Sequence, residues 1–260
     1  MMTQQLGKHP AVPVAAMRAV PWQQTWPMAA GLAALFALSW AYLIVLAGAM
    51  ASMQTPSAWG RFMGLMPMGT WGLSGYWLAF VMWALMMAAM MIPSVVPEVL
   101  QQARQPKGRP VRFAAGYLLA WAAFSLAATI AQGLLVSAGL MTVMMTSASA
   151  LLSGMVLIAA GLYQWTPAKS AYLAHCRGQA GSCGGFRLGA TYGACCVGRC
   201  WALMAVLFAA GVMNLALVAA LSTFVAVEKA AFSGVWIARI AGVLLVVTGI
   251  ACLASTASSG

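Results

Sequence analysis

Six long apolar runs, separated by short links that contain Gly, Pro and basic residues, organise this chain. The runs cover residues 28–50, 76–97, 113–138, 148–167, 199–223 and 235–256. A helix needs about 20 mostly apolar residues to cross a bilayer, and each run reaches that length. The pattern therefore predicts an all-α, polytopic membrane protein, a bundle of about six transmembrane helices.

The links between the runs define the predicted domain organisation. Residues 1–27 are rich in Pro, Gln and Ala and predict a cytoplasmic N-terminal tail, because the apolar run that follows is too long for a signal-peptide core. Residues 28–256 form a single transmembrane domain. The link at 168–198 is the longest and predicts a Cys-rich cytoplasmic loop, and long loops in compact proteins are usually functional or disordered.

Composition places the chain in the membrane class. It has 260 residues, of which 63% are hydrophobic and only 6% are charged, whereas soluble domains carry about 25% charged residues. The net charge of +11 comes from basic residues that lie between apolar runs. Their position indicates contact with anionic membrane lipids and excludes nucleic acid as the expected partner.

The basic residues are distributed unequally between the links, which predicts an orientation. Ten of the thirteen lie in the tail, in 104–112 and in 169–199, whereas Arg61, Lys229 and Arg239 fall on the other side. The positive-inside rule then predicts that both termini are cytoplasmic in a bacterial inner membrane. All six cysteines fall on this reducing side, which favours metal-binding or redox-active thiols over stable disulfides.

The strongest chemical signal is a cysteine cluster that leads into the fifth run. It contains His175, Cys176, Cys183, Cys195, Cys196 and Cys200. If the fifth helix begins by residue 195, Cys196, Cys200 and Met204 share one face at spacings of four residues. Two thiolates and a thioether suit Cu(I), and Cys176 or His175 could add a fourth ligand for zinc. The alternative is that these small side chains only pack a crowded helix end.

A methionine stripe in the second run is a second candidate. Met82, Met86 and Met90 lie on one face, and Met86 and Met90 are the predicted membrane relay toward the cysteines. Thioether sulfur binds soft cations such as Cu(I). It can hold them in an oxidising compartment, where a thiol would be at risk of oxidation. Methionine also fills gaps in apolar cores, and that alternative stays open.

The chain lacks the residue patterns of common catalytic sites. It contains no Ser–His–Asp set, phosphate-binding loop, paired carboxylates or haem-attachment motif, and only two histidines. A thiol–disulfide oxidoreductase that uses Cys195, Cys196 or Cys200 is the weak enzyme interpretation, because vicinal cysteines rarely close a relaxed disulfide. We therefore expect no catalytic residues and a protein that is not an enzyme.

Four sequence stretches resemble one bacterial family, the predicted metal-binding integral membrane proteins, an uncharacterised family with a domain of unknown function. They are "LMMAAMMIP" (85–93), "GYLLAW" (116–121), "YQWTPAKSAYLAHCR" (163–177) and "CCVGRCWALM" (195–204) followed by "VMN". The matches run in order across about residues 75–250. The resemblance implies metal binding.

This chain departs from the family pattern at two positions. Tyr172 stands where the family has a cysteine, and Arg199 stands where the family has the first of two adjacent cysteines. The adjacent pair in this chain is Cys195–Cys196. We expect the cation of Arg199 to repel a bound metal ion, so Arg199→Cys should raise metal affinity.

Two functional hypotheses follow from these observations. The first is a membrane protein that binds a soft metal, most of all Cu(I), and hands it over, for example to a membrane metalloenzyme. The second is a structural or accessory subunit of a larger integral membrane complex that has no metal role. Small residues in "AAGLAALFALSWA" and "VLIAAGLY" suit close helix contacts with other integral membrane subunits.

Overall fold

The computed structural model describes residues 22–52, 72–103, 108–140, 150–167, 169, 185–211, 214–230 and 234–257. This part of the chain forms seven helices and no strand. They are α1 Trp22–Ser52, α2 Leu73–Ala103, α3 Pro110–Ser137, α4 Ala150–Tyr163, α5 Gly185–Ala210, α6 Leu215–Ala230 and α7 Gly234–Ala257. The all-α class is confirmed.

Five of these helices are long and apolar enough to cross a membrane, namely α1, α2, α3, α5 and α7. The outward face of α7 exposes large apolar side chains, among them Trp236, Ile240 and Leu244, as expected for contact with lipid. The main core lies between α1, α2, α3, α5 and α6. Its largest fully buried side chains include Trp83, Trp121 and the methionines of α2.

Five of the six predicted spans each correspond to a single helix, whereas the span 199–223 and the predicted Cys-rich loop do not match the structure. Residues 185–198, placed in the Cys-rich loop by their Gly and Arg content, form the first half of α5. Cys195, Cys196 and Cys200 therefore lie inside a membrane-length helix and not in a loop. Residues 170–184 lie outside the described part of the chain, and so does the predicted tail up to residue 21.

The glycines that suggested a loop instead allow α5 to pack directly on α3. A Cβ atom added to Gly189 would lie 1.9 Å from the carbonyl oxygen of Phe113, and one added to Gly116 would lie 2.2 Å from that of Phe186. Gly193 meets Tyr117 in the same way. The paired residues advance together along both helices, so α3 and α5 run parallel. Small residues at four-residue spacing are typical of such close helix contacts in membranes.

Helix α4 packs between α5 and α7 and runs antiparallel to both. Ser153 Oγ donates to the carbonyl of Ala209, and Tyr163 Oη donates to that of Gly198. Gly154 lies against Gly249 and Leu253, and Gly161 against Gly242. The small residues of "VLIAAGLY" thus serve a contact within the chain.

A break at Gly211 adds a chain reversal that the apolar pattern did not predict. Gly211 has φ +95°, in the left-handed region that favours glycine. The predicted fifth span is thereby divided into α5 and α6, and α6 returns beside α5. Asn214, predicted in mid-span, instead accepts a hydrogen bond from the Leu217 backbone N–H at the start of α6 (3.1 Å).

The extra reversal changes the position of the C-terminal helix. Because α7 is antiparallel to α4, and α4 is antiparallel to α5, the end of α7 lies away from the end of the bundle that holds Arg109 and Gly185. The prediction that the C-terminus lies on the same side as the basic 104–112 link is therefore wrong for this helix order. Cys252 moves to the opposite side with it.

This helix order predicts the sidedness of two reporters. An alkaline phosphatase fusion after residue 257 should be active in a bacterial host, because that enzyme requires the periplasm, whereas an insertion in 104–107 should be inactive. Fusions of green fluorescent protein at the same two positions should give the reverse pattern. Equal phosphatase activity at both positions would contradict the reversal at Gly211.

Candidate metal centre

Helix α5 presents two different faces to the bundle. Cys196, Cys200 and Met204, one turn apart, are buried in the main core. The condition for a shared face is met, because α5 begins ten residues before Cys195. The neighbouring face turns Ala202 and Val206 toward Ala160 of α4.

The two thiols of the first face lie together. Cys196 and Cys200 lie one helical turn apart, close enough for their side chains to interact, and both are almost completely buried. Tyr117 of α3 closes the site from one side, since its Oη lies 3.6 Å from the Sγ of Cys196. The same hydroxyl lies 3.4 Å from the Oγ of Ser94 and 3.4 Å from the carbonyl oxygen of Met91. The thiol pair is thus held against the middle of α2.

The adjoining part of α2 contains Pro93 and Pro97 within a continuous helix. Proline cannot donate to the carbonyl four residues earlier, and this weakens the helix locally. Side chains of α6 donate to carbonyls of this region. Ser222 Oγ donates to the carbonyl of Met90 (3.2 Å), and Lys229 Nζ donates to that of Ser94 (2.8 Å). These contacts connect α6 to α2 beside the thiols.

A layer of buried charges, formed by Lys169, Arg199 and Glu228, also lies near the thiol pair. Lys169 Nζ contacts Glu228 Oε1 at 2.8 Å and also donates to the Gln164 side chain. Glu228 is therefore paired with a residue distant in sequence, whereas its neighbour Lys229 donates to α2. The guanidinium of Arg199 lies near Cys200, Cys196 and Glu228. Lys169, Arg199 and Glu228 are all buried, which is rare for charged side chains in a membrane bundle and makes them candidates for a functional role.

The predicted metal-binding residues thus fall into three groups. Cys196, Cys200, Met204, Met86 and Met90 are all buried in the main core. Cys195 is buried outside that core, on the same α5 face as Arg199 four residues later. His175 and Cys176 lie outside the described residues. Within the described part of the chain, no three His, Cys, Asp or Glu side chains form a metal-binding group, so any site there depends on two thiols with thioether support.

A comparison with protein-family models bears on this arrangement. A family model described as PpoB2, copper chaperone, matches residues 80–252, from the first third of α2 to the last turns of α7. The chain belongs to this family of copper chaperones. The match supports copper chemistry, in agreement with the metal binding that the sequence resemblance implied. A search of curated proteins and a search of solved structures each found no match.

The sequence pattern missed several residues of the centre. Tyr117, Lys169 and Glu228 each contact another helix or segment far away in sequence. Two of them stand in stretches that carried the resemblance, Tyr117 in "GYLLAW" and Lys169 in "YQWTPAK". The available signal was the presence of these polar side chains in the stretches that resemble the family, Tyr117 inside an apolar run and Lys169 just after one.

Proposed function

We propose that this copper chaperone binds Cu(I) between Cys196 and Cys200 of α5 and hands it to a metalloenzyme of the same membrane. The observation that carries the proposal is the buried thiol pair one turn from the Met204 thioether. Cysteine and methionine sulfur are the soft ligands that select Cu(I) among biological metals. Membrane-length helices and a family match to copper chaperones agree with this chemistry.

The low number of ligands favours Cu(I) over zinc. Structural zinc sites take four ligands in a tetrahedral arrangement. The described residues supply two thiols and the thioether of Met204, a set that suits the low coordination numbers of Cu(I). Zinc binding would need His175, Cys176 or another residue outside the described part of the chain.

The methionines of α2 give the proposed cargo a route. Met86 and Met90 are one turn apart and share the buried core with Met204 and the thiols. A weakly held ion can exchange between neighbouring thioethers, whereas the thiol pair holds it more tightly. In this proposal Met86 and Met90 pass copper to or from the cysteines, and the protein resides in a bacterial inner membrane among lipids and other integral membrane subunits.

Replacing the thiols should abolish copper binding. We expect protein purified anaerobically with its copper to lose nearly all of it in Cys196→Ser and Cys200→Ser, because a single buried thiol cannot hold Cu(I) against competing thiols. Cys195→Ser should keep the metal, since Cys195 lies outside the core that contains the pair. Elemental analysis together with competition against a Cu(I) chelator measures these differences.

Two further variants make this test specific. Cys252→Ser, in the last turns of α7, controls for the general loss of a thiol. Met90→Leu keeps the volume and removes the thioether, and should slow copper exchange with a smaller effect on the amount bound. Equal copper in wild type, Cys200→Ser and the Cys196→Ser/Cys200→Ser double variant would exclude the site and favour a structural role for the cysteines.

A further inference from the structure

Arg199 is a buried cation whose charge is only partly compensated by the described residues around it. It lies near the middle of α5 and is 2% exposed. Its Nε and Nη2 atoms have no hydrogen-bond partner among the described residues. An arginine inside a membrane bundle is costly unless another group compensates its charge. A partner for this guanidinium is therefore expected to bind at the site.

The nearby carboxylate does not supply that compensation alone. Glu228 is already in contact with Lys169 at 2.8 Å, so this pair is neutral before Arg199 is counted. Lys229 adds a second cation close to the thiols, where it donates to the Ser94 carbonyl and lies 4.7 Å from the centre of the Tyr192 ring. Both Arg199 and Lys229 interact electrostatically with Cys196. Glu98 accepts a hydrogen bond from Tyr192 (3.2 Å) and adds a second carboxylate on the side of Lys229. The three cations Arg199, Lys169 and Lys229 still outnumber the two carboxylates, so the described surroundings of the thiol pair carry an excess of positive charge.

A copper ion bound by two cysteines has the opposite charge. When Cu(I) binds, each thiol gives up its proton to water and forms a Cu–S bond, with no change in oxidation state. One positive ion and two thiolates give a complex with a net charge of −1. The same two thiolates with Zn(II) give a neutral complex. The charge that the protein must compensate therefore depends on whether the cation is monovalent or divalent.

We propose that Arg199 is the counter-ion of an anionic dithiolate complex at Cys196 and Cys200, and that it makes the site selective for a monovalent soft cation. This inference rests on the proposed function. It reverses the expectation that Arg199 repels the metal. The guanidinium interacts with the copper ion together with its two thiolates, and that complex is negative, whereas the bare ion is positive. Arg199 acts here as a positioning and specificity residue and is not a ligand.

The test compares cations of different charge in one set of variants. Arg199→Met removes the charge and keeps an unbranched side chain, and Arg199→Lys keeps the charge. We expect Arg199→Met to lower the affinity for Cu(I) and Ag(I) by about tenfold or more, with little loss or a gain for Zn(II). Arg199→Lys should restore most of the affinity for the monovalent ions. Each affinity is measured by chelator competition on the anaerobic, detergent-purified full chain.

The outcomes separate this inference from the proposed function. Wild type that binds neither Cu(I) nor Ag(I), or that keeps both after Cys196→Ser/Cys200→Ser, would refute the function itself. Copper binding that needs both thiols but is unchanged in Arg199→Met would refute only the role of Arg199. An equal loss of Cu(I), Ag(I) and Zn(II) would also contradict it, because structural damage does not discriminate by charge. Helix content by circular dichroism shows whether each variant is folded.

Discussion

Replacing Gly189 by alanine should separate α3 from α5 and unfold much of the bundle. The added methyl group would lie 1.9 Å from the Phe113 carbonyl oxygen and 2.8 Å from its Cα, so it would meet backbone that cannot rotate away. Relief requires movement of a whole helix. We expect a loss of about 3 kcal/mol or more in the free energy of unfolding, the upper end for overpacked sites. Thermal unfolding in detergent, followed by circular dichroism, measures the change.

A glycine on the outer helix provides the control. A Cβ atom at Gly31 of α1 would have no atom within 4 Å, so Gly31→Ala should be neutral or stabilising by up to about 1 kcal/mol through helix propensity. Gly189→Ala should also weaken copper binding, because the same interface holds Tyr117 near Cys196. Similar melting temperatures for Gly189→Ala and Gly31→Ala would contradict the direct backbone packing of α3 on α5.

The apolar pattern predicts helices well where one run makes one helix. Predicted spans 76–97, 113–138 and 235–256 correspond to α2, α3 and α7 within a few residues. It fails at 199–223, because Gly211 turns the chain within a run that stays apolar on both sides. It also fails at 185–198, where Gly189 and Gly193 resemble loop residues in composition but serve as helix contact points. Neither the turn at Gly211 nor the helix contact at 185–198 changes the local hydropathy enough for the apolar pattern to reveal it.

The sequence predicts only the part of the candidate site that depends on the spacing of residues along one helix. The shared face of Cys196, Cys200 and Met204 follows from their four-residue intervals, and its burial with Met86 and Met90 agrees with that geometry. The residues around the thiol pair could not be predicted from this spacing, because they depend on contacts between residues that are far apart in sequence. Tyr117 lies 79 positions from Cys196, and Lys169 pairs with a glutamate from another helix. The positive-inside count placed Lys169 and Lys229 on opposite sides, although both belong to the environment of one buried centre.

Glu228→Gln should be the most destabilising single change in the buried charge layer. Glu228 is 1% exposed and is in contact with Lys169, and Arg199 lies nearby. Removing its charge leaves two buried cations without a carboxylate, and breaking a buried pair in this way costs about 3–5 kcal/mol. Arg239→Gln is the matched surface control, since Arg239 is exposed beside the Trp236 ring, and it should change stability by less than about 1 kcal/mol.

Replacing Lys169, the residue paired with Glu228, tests whether charge imbalance causes this loss of stability. Lys169→Met alone should be less harmful than Glu228→Gln, because Arg199 remains available to Glu228. The double variant Lys169→Met/Glu228→Gln should recover part of the loss, since it removes a cation together with the anion. If Arg199 is the counter-ion of the copper complex, saturating Cu(I) should also stabilise Glu228→Gln more than wild type, because the bound anion replaces the missing negative charge. A Glu228→Gln variant as stable as Arg239→Gln would show that the buried pair contributes little, and that the charge layer does not control the centre.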